Sequence, residues 1–154
     1  MHPREATIHE FYACFGRHDA EGMAALYADD VVFSDPVFPE LHGEEARDMW
    51  RMLCGRAADL RIEVSGVRAD DSGGQAHWEA YYTFSATGRR VHNVIDARFE
   101  FRGDKIARHR DHFDFWRWSR QALGLPGILL GWSPLLRGKV RATAAKGLAA
   151  FRRG

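Results

Sequence analysis

The run HRDHFD at 109–114 sets two imidazoles and two carboxylates within six residues, a density that first suggests metal ligation. An extended chain alternates its side chains, so His109 and Asp111 point away from His112 and Asp114, and one strand cannot wrap an ion with both pairs. No metal and no cofactor are expected. The same alternation sorts 91–102 into His92, Val94, Asp96, Arg98 and Glu100 on one side and Val91, Asn93, Ile95, Ala97, Phe99 and Phe101 on the other. Over 105–118, Ala107, His109, Asp111, Phe113 and Phe115 share a side, opposite Ile106, Arg108, Arg110, His112, Asp114 and Trp116. Carboxylates grouped with an imidazole and a guanidinium suit either proton transfer or a buried ion network. The chain has no P-loop, GxGxxG, GxSxG or HExxH motif. Cys14 and Cys54 sit in no nucleophile motif and read as helix-packing residues.

These groups need elements to hold them. Ile8, Phe11, Tyr12 and Phe15 follow helical spacing, with Thr7 and Glu10 as a capping box. Asp19 is placed to cap a second short helix that turns Met23, Leu26 and Tyr27 inward. After the Pro-interrupted run DDVVFSDPVFPELHG, a third helix is expected from Gly43, its first turn carrying Glu44 and Glu45. From Leu60 the period becomes two, giving strands at Leu60–Ala69, Gln75–Ala86, Val91–Arg102 and Lys105–Trp118, divided by DDSGG, ATGRR and RGDK turns. Helices followed by a meander of antiparallel strands predict an α+β domain over 1–118. A basic extension over 119–154 follows, with a helix at Arg137–Phe151 striped by Val140, Ala144, Leu148 and Phe151.

Composition agrees with a folded domain: 154 residues, 45% hydrophobic and 28% charged. Two cysteines exclude a disulfide framework, and the N-terminus has no apolar signal-peptide core, which predicts a cytoplasmic protein. The net charge of +1 conceals an asymmetry, because no acidic residue follows Asp114. Residues 115–154 carry +8 and residues 1–114 carry −7. This tail is expected to pack on the domain or on a partner subunit. Contact with an acidic membrane surface is a less favoured role, and nucleic acid is not an expected partner.

Three segments together resemble the ketosteroid isomerase and SnoaL-like branch of the NTF2-like superfamily over roughly residues 5–118. They are Tyr27-Ala28-Asp29-Asp30 with Asp35-Pro36 and Gly43, then VIDARFEFRGDKI at 94–106, then HRDHFD at 109–114. The resemblance implies a cone, a curved antiparallel sheet wrapped round three N-terminal helices, with an apolar pocket open at one end. In it Asp35 would be the base that moves a proton next to a carbonyl, Asp96 a neutral donor to the resulting oxyanion, and Asp111 a further acid/base. Arg98, His109, Trp50, Phe113, Phe11 and Tyr12 would line the pocket around a small hydrophobic ligand. Members of this kind pair through sheet faces, so a homodimer is expected, with Trp78, Tyr82 and Phe84 on the shared face.

This chain departs from the isomerase pattern in two ways. Phe11 aligns with the tyrosine of the oxyanion hole, with Tyr12 one step round the helix. A guanidinium at Arg98 between Asp96 and Asp111 would hold both carboxyls ionised, a grouping closer to epoxide-hydrolase-like water activation. Each residue also has a structural alternative: Asp35 as a turn cap before Pro36, Asp96 with Arg98 as an ion pair fixing the sheet, and His109 with Asp111 as a hydrogen-bonded network. Three functions therefore stand side by side: a cofactor-independent isomerase or cyclase, a non-catalytic hydrophobic-ligand module, and an interaction protein.

Overall fold

The computed structural model describes residues 1–154. Two helices open the chain, α1 (Pro3–Gly16) and α2 (Ala20–Ala25), followed by strands β1 (Tyr27–Ser34) and β2 (Leu41–His42) and helix α3 (Glu44–Arg56). A meander follows, β3 (Arg61–Asp70), β4 (Gly73–Phe84), β5 (Arg89–Arg102) and β6 (Lys105–His112), and then α4 (Phe115–Leu123), α5 (Leu125–Leu130) and α6 (Pro134–Arg152). The sheet order is β2-β1-β6-β5-β4-β3. Every pairing is antiparallel except β1 with β6, which run parallel.

Local chemistry explains most of the boundaries. Asp19 caps α2 by accepting from the Gly22 amide at 2.9 Å. Gly43 opens α3 at φ 54°, with the Asp29 carbonyl 3.2 Å from where a Cβ would stand, so a side chain there meets both strain and backbone. The first helix starts earlier than its expected capping box. Pro3 occupies the first turn, where its missing N–H costs nothing, and His2 accepts from the Arg4 amide. Thr7 is a mid-helix residue whose hydroxyl donates to the Pro3 and Asp104 carbonyls. Tyr27 to Asp30 belong to β1 rather than to a helix-ending turn, drawn into the ladder by β6.

The last strand is shorter than expected. Asp114 accepts from the Arg117 amide at 3.1 Å and caps α4, so Phe115 and Trp118 leave the sheet and close over its end as helix residues.

One irregularity decides which side chains face inward. At the 102–105 turn Arg102 pairs with Lys105, a register that would continue by setting Asp96 opposite Asp111. Instead, Glu100 opposes Arg108 while Phe101 opposes Ile106, so Ala107 is one residue too many on β6. Beyond this bulge Ala97 faces Asp111, Phe99 faces His109, and both Ile106 and His109 point inward. The buried side of β5 is therefore Val91, Asn93, Ile95, Ala97 and Phe99.

Against the inner face pack Ile8, Phe11, Tyr12 and Phe15 of α1 and Met49 and Trp50 of α3. A buried guanidinium ties these layers together. Arg47 of α3 donates to the carbonyls of Ala24, Tyr27 and Ala28 at 3.3, 3.1 and 2.8 Å, joining the end of α2 to the start of β1. Replacing it by Met leaves three carbonyls without their donor. Arg47→Met is expected to lower stability by about 2–4 kcal/mol in urea titration, with an unchanged denaturant slope; a loss below ~1 kcal/mol contradicts this role.

Candidate active site

The sequence places a tyrosine at the start of β1, a tryptophan in the middle of α3 and a His-x-Asp pair past the bulge on β6. The fold joins them in a single hydrogen-bonded line. The Trp50 indole donates to the Tyr27 hydroxyl at 2.8 Å. Tyr27 lies 2.8 Å from His109 Nδ1, and His109 Nε2 lies 2.9 Å from Asp111 Oδ1. Only one arrangement satisfies all four groups: the Tyr27 O–H donates to Nδ1, and the imidazole carries its proton on Nε2 and donates to the carboxylate. The Trp78 indole, 3.4 Å away, gives Asp111 a second donor.

Around this line the walls are aromatic. Phe99, Phe33 and Phe11 surround the His109 ring at centroid distances of 4.5, 5.1 and 5.4 Å, and Trp50 stacks on it at 6.0 Å. The result is a fully buried imidazole and a nearly buried carboxylate, both satisfied, in an apolar surround.

Asp35 approaches from the other side. It follows the end of β1 because Pro36 cannot continue the ladder. Its carboxylate accepts from the Val37 and Phe38 amides at 2.7 and 2.6 Å, a turn-capping arrangement that turns the group inward. Burial pushes this carboxyl up to about 7. The two amides pull it down, the Asp111 charge pushes it up, and the Arg141 guanidinium on α6 pulls it down. The desolvation wins because two amide hydrogen bonds do not replace a full hydration shell. Asp35 thus sits between acid and base near neutral pH.

Two phenols share this interior. Tyr12 is buried, its hydroxyl has no partner, and burial together with the Asp111 charge holds its pKa well above the ordinary value. Tyr82 accepts from the Trp118 indole at 2.8 Å, and burial pushes it up to about 12 with a further contribution from Asp35. Asp111 thus acts by charge on both Asp35 and Tyr12, and Asp35 acts on Tyr82.

Asp35 lies close enough to Asp111 to feel its charge, and His109, Trp50, Phe113, Phe11 and Tyr12 are buried. Asp96 and Arg98 are corrections. Both lie on the outer face, Asp96 against His77 at 2.9 Å and Arg98 against Gln75 at 2.6 Å. Two causes act together: the bulge at Ala107 moves the register by one, and the apolar set of β5 takes the interior over the charged one. An Asp-Arg-Asp grouping therefore does not form.

Trp78, Tyr82 and Phe84, expected on an outer dimer face, point inward, and the outer face carries the His77–Glu79–His92 network instead. The open apolar pocket is also corrected. The grooves of about 800 and 450 Å³ lie outside the aspartate cluster. The aromatic residues of α1 and α3 pack around His109, and α6 lies across residues 37–41 beside the Asp35 turn.

Tyr27, Trp78, Tyr82, Trp118 and Arg141 were not expected at the site. Alternation of Trp78, Ala80 and Tyr82 with His77, Glu79 and Tyr81 does mark Trp78 and Tyr82 as inward. Nothing local announces Arg141, which reaches back across the fold to donate to the Pro36 carbonyl at 2.8 Å. The 450 Å³ groove runs between α6 and residues 37–41 and brings solvent to the back of the Asp35 turn.

Comparison with known proteins agrees with this architecture. The family model described as a SnoaL-like domain matches residues 8–109. No curated protein sequence matches the chain. Among solved structures, an NTF2-like protein of unknown function from Burkholderia pseudomallei superposes with TM-score 0.68 at 20% identity, covering 79% of this chain and 98% of that one. A candidate polyketide cyclase from Xanthomonas campestris gives 0.65 at 19% identity over 77% and 96% of the two chains. An epoxide hydrolase of the LEH-like type from M. tuberculosis gives 0.63 at 20% identity over 87% and 95%. At these identities the structures share a fold, while the family match spans most of the chain and starts and ends on the elements that build the site, α1 and β6. The chain belongs to the SnoaL-like domain family and carries its NTF2-like fold.

Proposed function

We propose that this protein is a cofactor-independent acid/base enzyme of the isomerase or cyclase type, acting on a small hydrophobic carbonyl compound. The observation that carries the reading is a carboxyl poised near neutrality at Asp35 beside a second carboxylate whose position is fixed by hydrogen bonds. An acid/base group works best with its pKa near the working pH, and Asp35 meets that condition through burial rather than through a metal. In this reaction Asp35, ionised, takes the proton from the carbon next to the substrate carbonyl. The C–H electron pair moves into the new C=C bond, and the carbonyl oxygen gains the charge. Tyr12, with an unpartnered hydroxyl, donates to that oxygen, and the protonated Asp35 then returns its proton to another carbon. The Asp111 charge, held in place by His109 and Trp78, pushes the Asp35 carboxyl up and keeps it basic enough to act. The candidate cyclase among the similar structures supports a polyketide-like substrate. Entry runs along the groove between α6 and residues 37–41.

The fully satisfied hydrogen bonds of His109 and Asp111 support a second reading, a module that holds a hydrophobic ligand without turning it over. The two part on Asp35. Deuterium exchange into a panel of enolisable polycyclic ketones, followed by mass spectrometry, is expected to be accelerated by the protein. Asp35→Asn should slow it by on the order of 10²–10⁴. A ligand that raises the melting temperature of both forms equally, with no exchange in either, selects the binding module.

The titration itself can be observed directly. Carbon-13 NMR of the side-chain carboxyls is expected to show Asp35 titrating near 7. In Asp111→Asn its midpoint moves down, because the anion that raises it is gone. An Asp35 midpoint in the ordinary carboxylate range sinks the acid/base reading.

Stability should follow the same group. Because the folded-state pKa lies above the unfolded value, the unfolded chain ionises first as pH rises, so stability present below pH 4 is lost progressively between about 4 and 7. Asn keeps the amide acceptor but cannot ionise. The melting temperature of Asp35→Asn is therefore expected to fall less than that of the wild type between pH 5 and pH 8, and parallel curves contradict the shift.

A further inference from the structure

Residues 125–135, LPGILLGWSPL, contain no charged side chain, yet they form the most exposed apolar surface of the molecule. Leu125, Leu129, Trp132 and Leu135 are 65, 58, 69 and 76% exposed, with Ile128 and Leu130 beside them. Single exposed apolar residues need no explanation, but a contiguous group with two tryptophans at its edge does.

The group is also held rigidly. Gly127 and Gly131 of this segment press on α4 so closely that a Cβ would stand 1.9 Å from the Ser119 carbonyl oxygen and 2.1 Å from its hydroxyl. Both indole N–H groups are already satisfied, Trp116 by the Ile128 carbonyl at 3.3 Å and Trp132 by the Leu129 carbonyl at 2.8 Å. These rings can leave water without stranding a donor.

Directly beside this tip lies the 800 Å³ groove, lined by Arg89, Arg90, Arg117, Arg120 and Gln121 and sharing Trp116 and Ile128 with the apolar surface. No carboxylate lines it. Arg117 Nη1 and Arg120 Nε have no hydrogen-bond partner, and the Arg120 guanidinium sits over the Trp116 ring at 4.3 Å. None of the four guanidiniums forms a salt bridge, although Arg90 feels the Asp59 charge, and such a cluster calls for an anion. An apolar tip rimmed by them calls for one spread over an apolar layer.

We propose that the 125–135 tip and the arginine groove form a docking surface for a lipid bilayer bearing anionic phospholipids. The leucines and Trp132 enter the acyl boundary while the groove takes headgroup phosphates. No helix is long and apolar enough to cross a membrane, so the attachment lies on the surface of the bilayer. Charge favours this occupant over a second copy of the chain, since a two-fold contact would press one arginine groove and its acid-free tail against another. The remaining basic residues of the tail are partly committed elsewhere, Arg141 to Pro36 and Arg152 to Asp48 and Glu45.

Sedimentation of the full chain with vesicles tests this. It is expected to pellet with vesicles of equal parts phosphatidylcholine and phosphatidylglycerol, to pellet poorly with phosphatidylcholine alone, and to be released by high salt. Arg90→Gln with Arg120→Gln should cut the partition coefficient by on the order of tenfold or more. Leu129→Glu should abolish pelleting, and all variants should keep the wild-type melting temperature. Recovery in the supernatant with both vesicle types overturns the proposal. So does pelleting that survives both sets of substitutions. A dimer by light scattering that Leu129→Glu dissociates, without vesicle binding, gives the tip to a second copy instead. Equal tightening by free glycerophosphate in a thermal-shift assay, without pelleting, reduces the groove to a soluble-anion site and also overturns docking.

Discussion

The line from Trp50 through Tyr27 and His109 to Asp111 is the constraint around which the interior is arranged. A carboxylate in an aromatic core is costly unless its lone pairs are met, and here two donors meet them, His109 from the same strand and Trp78 from β4. Because α3 and β1 each contribute one member and β6 two, with Trp78 of β4 bracing its end, the line fixes the sheet against the helix layer. It also sets a negative charge at a defined depth. The elevated Asp35 carboxyl follows from that charge and from its own desolvation. Removing the line would not merely loosen the packing; it would alter the protonation of the residue at the far side of the site.

The tail gives this domain its individual character. Leu148 is buried, Arg141 reaches the carbonyl next to Asp35, Arg152 binds Asp48, and Arg56 of α3 lies over Phe151. The acidic body and the basic extension thus meet through particular pairs rather than through a diffuse field. Exposed ion pairs of this sort contribute little each, so Leu148 and the apolar stripe carry most of the docking. The position of Arg141 means that the seat of α6 and the charge balance of Asp35 are one arrangement.

Much of the fold was legible in the residues. Asp19 and Gly43 mark the starts of α2 and α3, and the two-residue period from Leu60 marks four strands within a few residues. The faces were harder to read. Alternation gives two sides for a strand but does not say which is inner, and one extra residue at Ala107 reverses the answer for everything beyond it. This is why His109 and Asp111 were placed correctly while Asp96 and Arg98 were not. Asp114 ended the last strand through a local side-chain bond that competes with strand extension, and a run of aromatic residues hid it. Arg141 and the closure of the interior depend on contacts across the whole chain, which no short-range pattern contains.

The parallel pairing of β1 with β6 has a kinetic consequence. Pairing Tyr27 with Ile106 closes most of the domain into one loop, which makes it the costliest closure in the sheet unless the intervening meander is already ordered. The hairpins are local and form early, whereas β1 and the Tyr27 hydroxyl arrive late. Assembly of the Tyr27–His109–Asp111 line therefore coincides with completion of the sheet, and a half-folded chain exposes the edge of β6 with an unsatisfied imidazole behind it.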